Sequence, residues 1–209
     1  MRLYLITGDR GNEVETARIV EAALEGGATA IQLRKKSMPM REQYHLALAL
    51  RILTGEHEAL LIINDHAELA IAADADGVHL GQDDLPPAAV RALPGFAGRL
   101  IGCSTHSVAQ ARAAIDEGAD YFAVGPVYPT PTKAGRPAVG TRLVSEVAAI
   151  ADRPWVGVGG IDHDNAPEVV EAGARAIAVV RAVYDAADPA EAARRLHEMI
   201  STRLEAARR

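Results

Sequence analysis

The chain has too little cysteine for a disulfide. One thiol, Cys103, stands in 209 residues, so no internal disulfide can form. That fits a reducing compartment, and a cytoplasmic location is the expectation. It also lacks any excess of basic charge: the formal net charge is −6. A phosphate backbone selects for basic surfaces, so general nucleic-acid binding is excluded and no nucleic-acid partner is expected. No apolar run approaches the roughly 20 residues of a membrane span, so no membrane partner is expected. The opening MRLYLITGDR turns polar too soon for a secretory signal. Low-complexity segments are absent, as is a dinucleotide-type glycine fingerprint. Any anion site must therefore be a local cluster of positive charge.

What is present is alternation. Short apolar runs at residues 3–7, 29–33, 60–63, 77–80, 99–102, 120–124, 154–158 and 176–180 read as buried strands. Helix-like stretches follow them at 13–26, 39–55, 66–73, 86–93, 107–117, 141–151, 165–172 and 189–206. Eight strand–helix pairs in one domain spanning 1–209 predict a (β/α)8 TIM barrel, with a doubly wound open sheet as the alternative. Parallel strands covered on both faces should be continuously apolar, and most of these are. A small-residue pattern recurs where helices give way to strands: Gly27-Ala28, Asp76-Gly77, Gly118-Ala119 and Gly173-Ala174. Its expected role is a left-handed exit from the helix.

The active site of such a barrel lies after the carboxyl ends of its strands. Strand two runs into Gln32-Leu33-Arg34-Lys35-Lys36, where alternation puts Gln32, Arg34 and Lys36 on one side. Strand three ends in Asn64-Asp65 and strand four in Gly81-Gln82-Asp83-Asp84. Each aspartate either caps the helix that follows or joins the other in binding one hard cation. Strand five ends in Gly102-Cys103-Ser104-Thr105-His106, with Ser104 and His106 as substrate contacts and Ser107 as a helix start. No acid forms a recognisable triad with these groups, which argues against nucleophilic catalysis. His79 and Trp155 read as core, and Cys103 as a packing residue. Strand six feeds the segment GPVYPTPTK, 125–133, where prolines stiffen a loop carrying Thr130, Thr132 and Lys133. Two hydroxyls and an ammonium there suit an anionic oxygen ligand. Gly159-Gly160 after strand seven, and Val180-Arg181 after strand eight, suit a phosphate pocket.

Taken in order, QLRKK, IND, ADGVHLGQDDL, GCSTH, ADYFAVGPVYPTPTK and VGVGGI resemble the thiamine phosphate synthase family over nearly the whole chain. The resemblance implies a Mg²⁺-dependent transferase. It would join hydroxymethylpyrimidine diphosphate to a thiazole phosphate, giving thiamine phosphate and pyrophosphate. It implies that Gln32, Arg34 and Lys36, with Leu33 and Lys35 in the same segment, and Asn64 hold the pyrimidine diphosphate. Asp65 and Asp84 would ligate Mg²⁺, Ser104 would touch the pyrimidine, and Lys133 its diphosphate. Thr130, Thr132 and Gly160, with backbone groups of Val180 and Arg181, would hold the thiazole phosphate, and Pro131 lies in the same substrate-binding segment. Arg181 departs from the family pattern, in which a serine is usual. Arg34, Lys36 and Lys133 are the expected catalytic cations. Two other readings compete: a related thiazole tautomerase, and a non-catalytic metabolite-binding protein on the same barrel. A homo-oligomer is compatible with all three.

Overall fold

The computed structural model describes residues 1–131 and 135–206. Eight parallel strands pair in sequence order and close into a barrel, each strand hydrogen-bonded to the next and β1 to β8. The strands are β1 (Leu3–Ile6), β2 (Ala30–Leu33), β3 (Leu60–Asn64), β4 (Gly77–Leu80), β5 (Leu100–Thr105), β6 (Tyr121–Val124), β7 (Trp155–Val158) and β8 (Ile177–Val179). Helices α1 (Glu13–Glu25), α2 (Met40–Glu56), α3 (Ala67–Ala72), α4 (Pro87–Arg91), α5 (Val108–Asp116), α6 (Gly140–Ala148) and α7 (Ala166–Glu171) follow the first seven strands. After β8 come a short helix, α8 (Arg181–Tyr184), and the long closing helix α9 (Pro189–Ala206). The barrel, not the open sheet, is the fold.

Strand alternation divides the core into two layers. One residue set, including Leu5, Ile31, Leu33, Ile63, Val78, Ile101, Phe122 and Val179, faces the helices in a continuous apolar shell. The other fills the barrel interior with Tyr4, Ala30, Ile62, Tyr121, Ala123, Val156 and Ala178. Interior volume is shared between large and small residues. A Cβ on Gly102 would lie 2.1 Å from the Tyr121 ring, so the glycine vacates the space this ring occupies.

The helix exits follow a different rule from the one expected. Gly27, Gly118 and Gly173 do take positive φ, but Gly77 does not. It opens β4, where a Cβ would lie 2.2 Å from the Leu100 carbonyl oxygen. The left-handed residue at that exit is Asp74 (φ 51°), and after α2 it is Glu58 (φ 51°). The true repeat is thus a left-handed residue followed by alanine: Gly27-Ala28, Glu58-Ala59, Asp74-Ala75, Gly118-Ala119 and Gly173-Ala174. Each alanine is buried and donates its N–H to the carbonyl five residues back, as Ala28 does to Ala23 at 2.9 Å. This satisfies an orphan carbonyl of the last helical turn.

Candidate active site

The cavity at the carboxyl ends of the strands has a volume of about 280 Å³. Its lining includes Gln32 and Arg34 from the β2 end, Ser104 from β5, Thr130 from the β6 loop, Gly160 from the β7 loop, and Val180 and Arg181. A second recess, beside it in sequence terms, is lined by Lys35, Lys36, Gln43, Asn64, Asp65 and His66.

A buried polar chain crosses the cavity floor. The Gln32 Nε2 donates to Tyr4 Oη at 2.9 Å, and Tyr4 Oη lies 3.1 Å from Tyr121 Oη. Tyr121 Oη is 3.1 Å from His79 Nδ1, and His79 Nε2 is 3.1 Å from Ser104 Oγ. Burial pushes both phenols well above their ordinary range, so they stay neutral hydrogen-bonding groups. His79 is the satisfied core histidine expected from sequence, but it also lines the cavity. Tyr4 and Tyr121 were not among the residues expected here. In sequence each is one aromatic within an apolar strand, and only the strand phase turns it inward.

The cations of the β2 arm separate by alternation. Arg34 is anchored by its N–H to Thr7 Oγ1 (2.8 Å), and its Nη1 reaches Asp9 Oδ2 at 3.1 Å. Lys36 Nζ stands 3.7 Å from Asp65 Oδ2. Leu33 belongs to the outer apolar shell, so its side chain does not face the cavity. Lys35 is 2% exposed, and its Nζ donates to the carbonyls of Arg10 and Gly11 and to Tyr184 Oη (3.0 Å). Its ammonium fastens the β1 loop and α8 to the β2 arm.

Neither aspartate caps a helix. His66 stands at the start of α3 and Pro86 at the start of α4, and neither helix has a side-chain cap. Asp84 folds back instead, accepting from the Gly81 N–H at 2.6 Å. Asp65 takes a left-handed φ of 63° and its N–H bonds the His79 carbonyl at 2.9 Å. The Asp84 carboxylate stands close enough to Asp65 to act on its charge. Burial first, and the Asp84 carboxylate second, raise the Asp65 pKa above its ordinary value; Lys36 opposes them. A proton or a cation held between two neighbouring carboxyls relieves their repulsion. Among the described residues no cluster of three or more acidic, histidine or cysteine ligands exists. Magnesium takes one or two carboxylates, the rest being water and phosphate oxygens, so the pair fits that ion.

On the opposite wall the β6 and β7 loops run against each other. Val127 N–H bonds the Val158 carbonyl and Tyr128 N–H the Gly159 carbonyl, both at 2.9 Å. Gly159 and Gly160 have φ of 98° and 66°, and a Cβ on Gly160 would lie 2.7 Å from Tyr128 Cβ. The glycine pair is required for this close approach of the loops. It also keeps backbone, not side chain, on the cavity wall. Thr130 lines the cavity and Pro131 is exposed, while Thr132 and Lys133 lie outside the described residues. Cys103 is buried in the outer shell, where burial pushes its thiol up to about 12. It is the packing residue expected. Trp155 stacks on Phe122 with ring centroids 6.5 Å apart.

A closed parallel barrel with its cavity at the carboxyl ends of the strands defines the class, a (β/α)8-barrel enzyme. The sequence profile described as thiamine monophosphate synthase matches residues 3–183. The thiamine-phosphate synthase of Mycolicibacterium vanbaalenii is 46% identical over 209 residues, covering 95% of this chain and 94% of that one. That of Streptomyces avermitilis is 48% identical over 194 residues, 92% of this chain and 90% of the relative. Among solved structures, thiamine phosphate pyrophosphorylase from Pyrococcus furiosus superposes with a TM-score of 0.88 at 37% identity, covering 97% of this chain and 96% of that one. The chain belongs to the thiamine monophosphate synthase family, and is a transferase of thiamine synthesis.

Proposed function

We propose that the cavity joins 4-amino-2-methyl-5-(diphosphooxymethyl)pyrimidine to a thiazole phosphate, releasing pyrophosphate and forming thiamine phosphate, with Mg²⁺ as the cofactor. The observation that carries this reading is the Asp65–Asp84 pair facing across the β3 and β4 ends, with Lys36 beside it. Asp65 and Asp84 would hold Mg²⁺, which supplies charge neutralisation to the diphosphate. Arg34, Lys36 and Lys133 stabilise the negative charge that builds on pyrophosphate as the methylene–oxygen bond breaks. The electron-rich aminopyrimidine bears the cation left behind. The thiazole nitrogen then supplies the electron pair for the new carbon–nitrogen bond. No protein nucleophile is needed.

Gln32 and Ser104 orient the pyrimidine from the cavity floor, and Asn64 joins the diphosphate arm. Thr130, Thr132, Gly160 and the backbone of Val180 and Arg181 receive the thiazole phosphate. The partners are small molecules in a cytoplasmic setting. No described helix is long and apolar enough to cross a membrane.

Incubation with both substrates, with and without Mg²⁺, tests the reading through pyrophosphate release. Release requiring both substrates and the metal is expected. Binding without turnover would favour a regulatory protein, and turnover of the thiazole alone a tautomerase. Lys133→Ala and Asp65→Ala should each lower turnover on the order of 10²–10³-fold. Near-normal turnover of either at saturating Mg²⁺ counts against the site.

A further inference from the structure

Two arginines line the cavity among the described residues, and they differ in state. Arg34 is paired with Asp9 at 3.1 Å. Arg181 is exposed at the cavity wall, and its side chain makes no hydrogen bond or ion pair among the described residues. The acid lining the same cavity, Asp162, forms no ion pair with it. Asp162 Oδ1 accepts from the N–H groups of Asp164 (3.0 Å) and Asn165 (3.2 Å). In a chain of net charge −6, a guanidinium on a cavity wall outside any ion pair among the described residues is a local exception.

The residue is also well placed to act from a fixed base. Tyr184, one turn along α8, is fully buried. Its Oη is 2.8 Å from Thr16 Oγ1, receives Lys35 Nζ at 3.0 Å and donates to the Arg10 carbonyl at 2.9 Å. The backbone of Arg181 is therefore held while its side chain remains unengaged. Gly159 and Gly160, packed against Pro126 and Tyr128 of the β6 loop, line the same cavity as Arg181.

We infer that the Arg181 guanidinium is a specificity-determining group for the phosphoryl dianion of the second substrate, making the site select the phosphorylated thiazole over its neutral alcohol. This rests on the reading given under Proposed function and goes beyond the backbone contacts assigned there. A phosphate monoester carries between one and two negative charges near neutrality and offers three acceptor oxygens. A guanidinium meets two of them with a planar fork, and the bond is charge-assisted. A hydroxymethyl or hydroxyethyl group offers no charge and one oxygen, so it gains little from the same fork.

The test compares the thiazole phosphate with the corresponding alcohol in the full chain, for wild type, Arg181→Ala and Arg181→Lys. The readout is the ratio of kcat/KM for the two, with equilibrium binding of each followed by calorimetry. Arg181→Ala should lower the preference for the phosphate by about 10–100-fold, chiefly through KM. Arg181→Lys should restore part of that preference, since it returns charge without the fork. A preference unchanged in Arg181→Ala, or one that falls no less in Arg181→Lys, overturns the inference and leaves the threonines and the backbone as the phosphate anchors. If wild type binds the phosphate but forms no thiamine phosphate, the functional reading fails, and the calorimetric preference alone decides the role of Arg181.

Discussion

Asp65 concentrates the conflict between folding and function. Its pKa is raised above the ordinary value by burial and by Asp84. The folded chain therefore holds this proton more tightly than the unfolded chain does. Stability contributed here falls as pH rises from the ordinary carboxylate range through the raised value, and stays low above it. The ion pair with Lys36 offsets little, because that lysine is 58% exposed. Asp65→Asn should raise the thermal midpoint at neutral pH, with the gain shrinking toward zero in acid. A variant less stable than wild type at pH 7 would show that the carboxylate is not destabilising. Asn also tolerates the left-handed backbone at this position, so no new strain enters. Single residues were unevenly legible in the sequence. The aspartate pair could be read because both follow strand ends. Alternation sets Lys35 apart from Gln32, Arg34 and Lys36, but it does not say that buried carbonyls wait for its ammonium. Tyr4 and Tyr121 look like ordinary core until the strand phase points them inward.

Most elements were legible to within one or two residues, since apolar runs and helical periodicity fix their centres. Two were not. β5 extends to Thr105, because Ser104 and Thr105 stay in register with Ala123 and Val124 of β6. The apolar run read as this strand stops at 102, but in a barrel a polar side chain turned inward does not end a strand. The four-residue α8 is too short for any periodicity to announce it. The helix exits supply a test at this scale. Glu58 is exposed and left-handed, whereas Gly118 is left-handed with nothing within 4 Å of a built Cβ. Glu58→Gly should stabilise the chain by about 0.5–1 kcal/mol by removing backbone strain. Gly118→Ala should destabilise it by about 1 kcal/mol through φ alone. Denaturation midpoints check both. Equal signs for the two would mean that the left-handed exit is not what governs these positions.

For the whole molecule, closure of eight strands brings together segments that are distant in the chain. The QLRKK arm, Asp65, Asp84, Ser104, the 125–131 segment and Arg181 all follow or end strands, and a barrel gathers such positions at one rim. The alternation of the sequence carried that much. It did not carry the closeness of the β6 and β7 loops, which depends on two glycines meeting Tyr128 and Pro126. Nor did it carry the strut from Lys35 through Tyr184, which ties the β2 arm to α8. Lys35 and Tyr184 stand 149 residues apart, and the glycines meet a loop from the preceding strand; no local pattern marks either contact.

The most direct measurement is a Mg²⁺ titration of pyrophosphate release, with both substrates saturating, in wild type and Asp84→Asn. The account predicts metal-dependent turnover in wild type, and in the variant at least a tenfold weaker apparent Mg²⁺ affinity with lower turnover at every concentration. Pyrophosphate release that ignores Mg²⁺, or a variant that titrates like wild type, would contradict it.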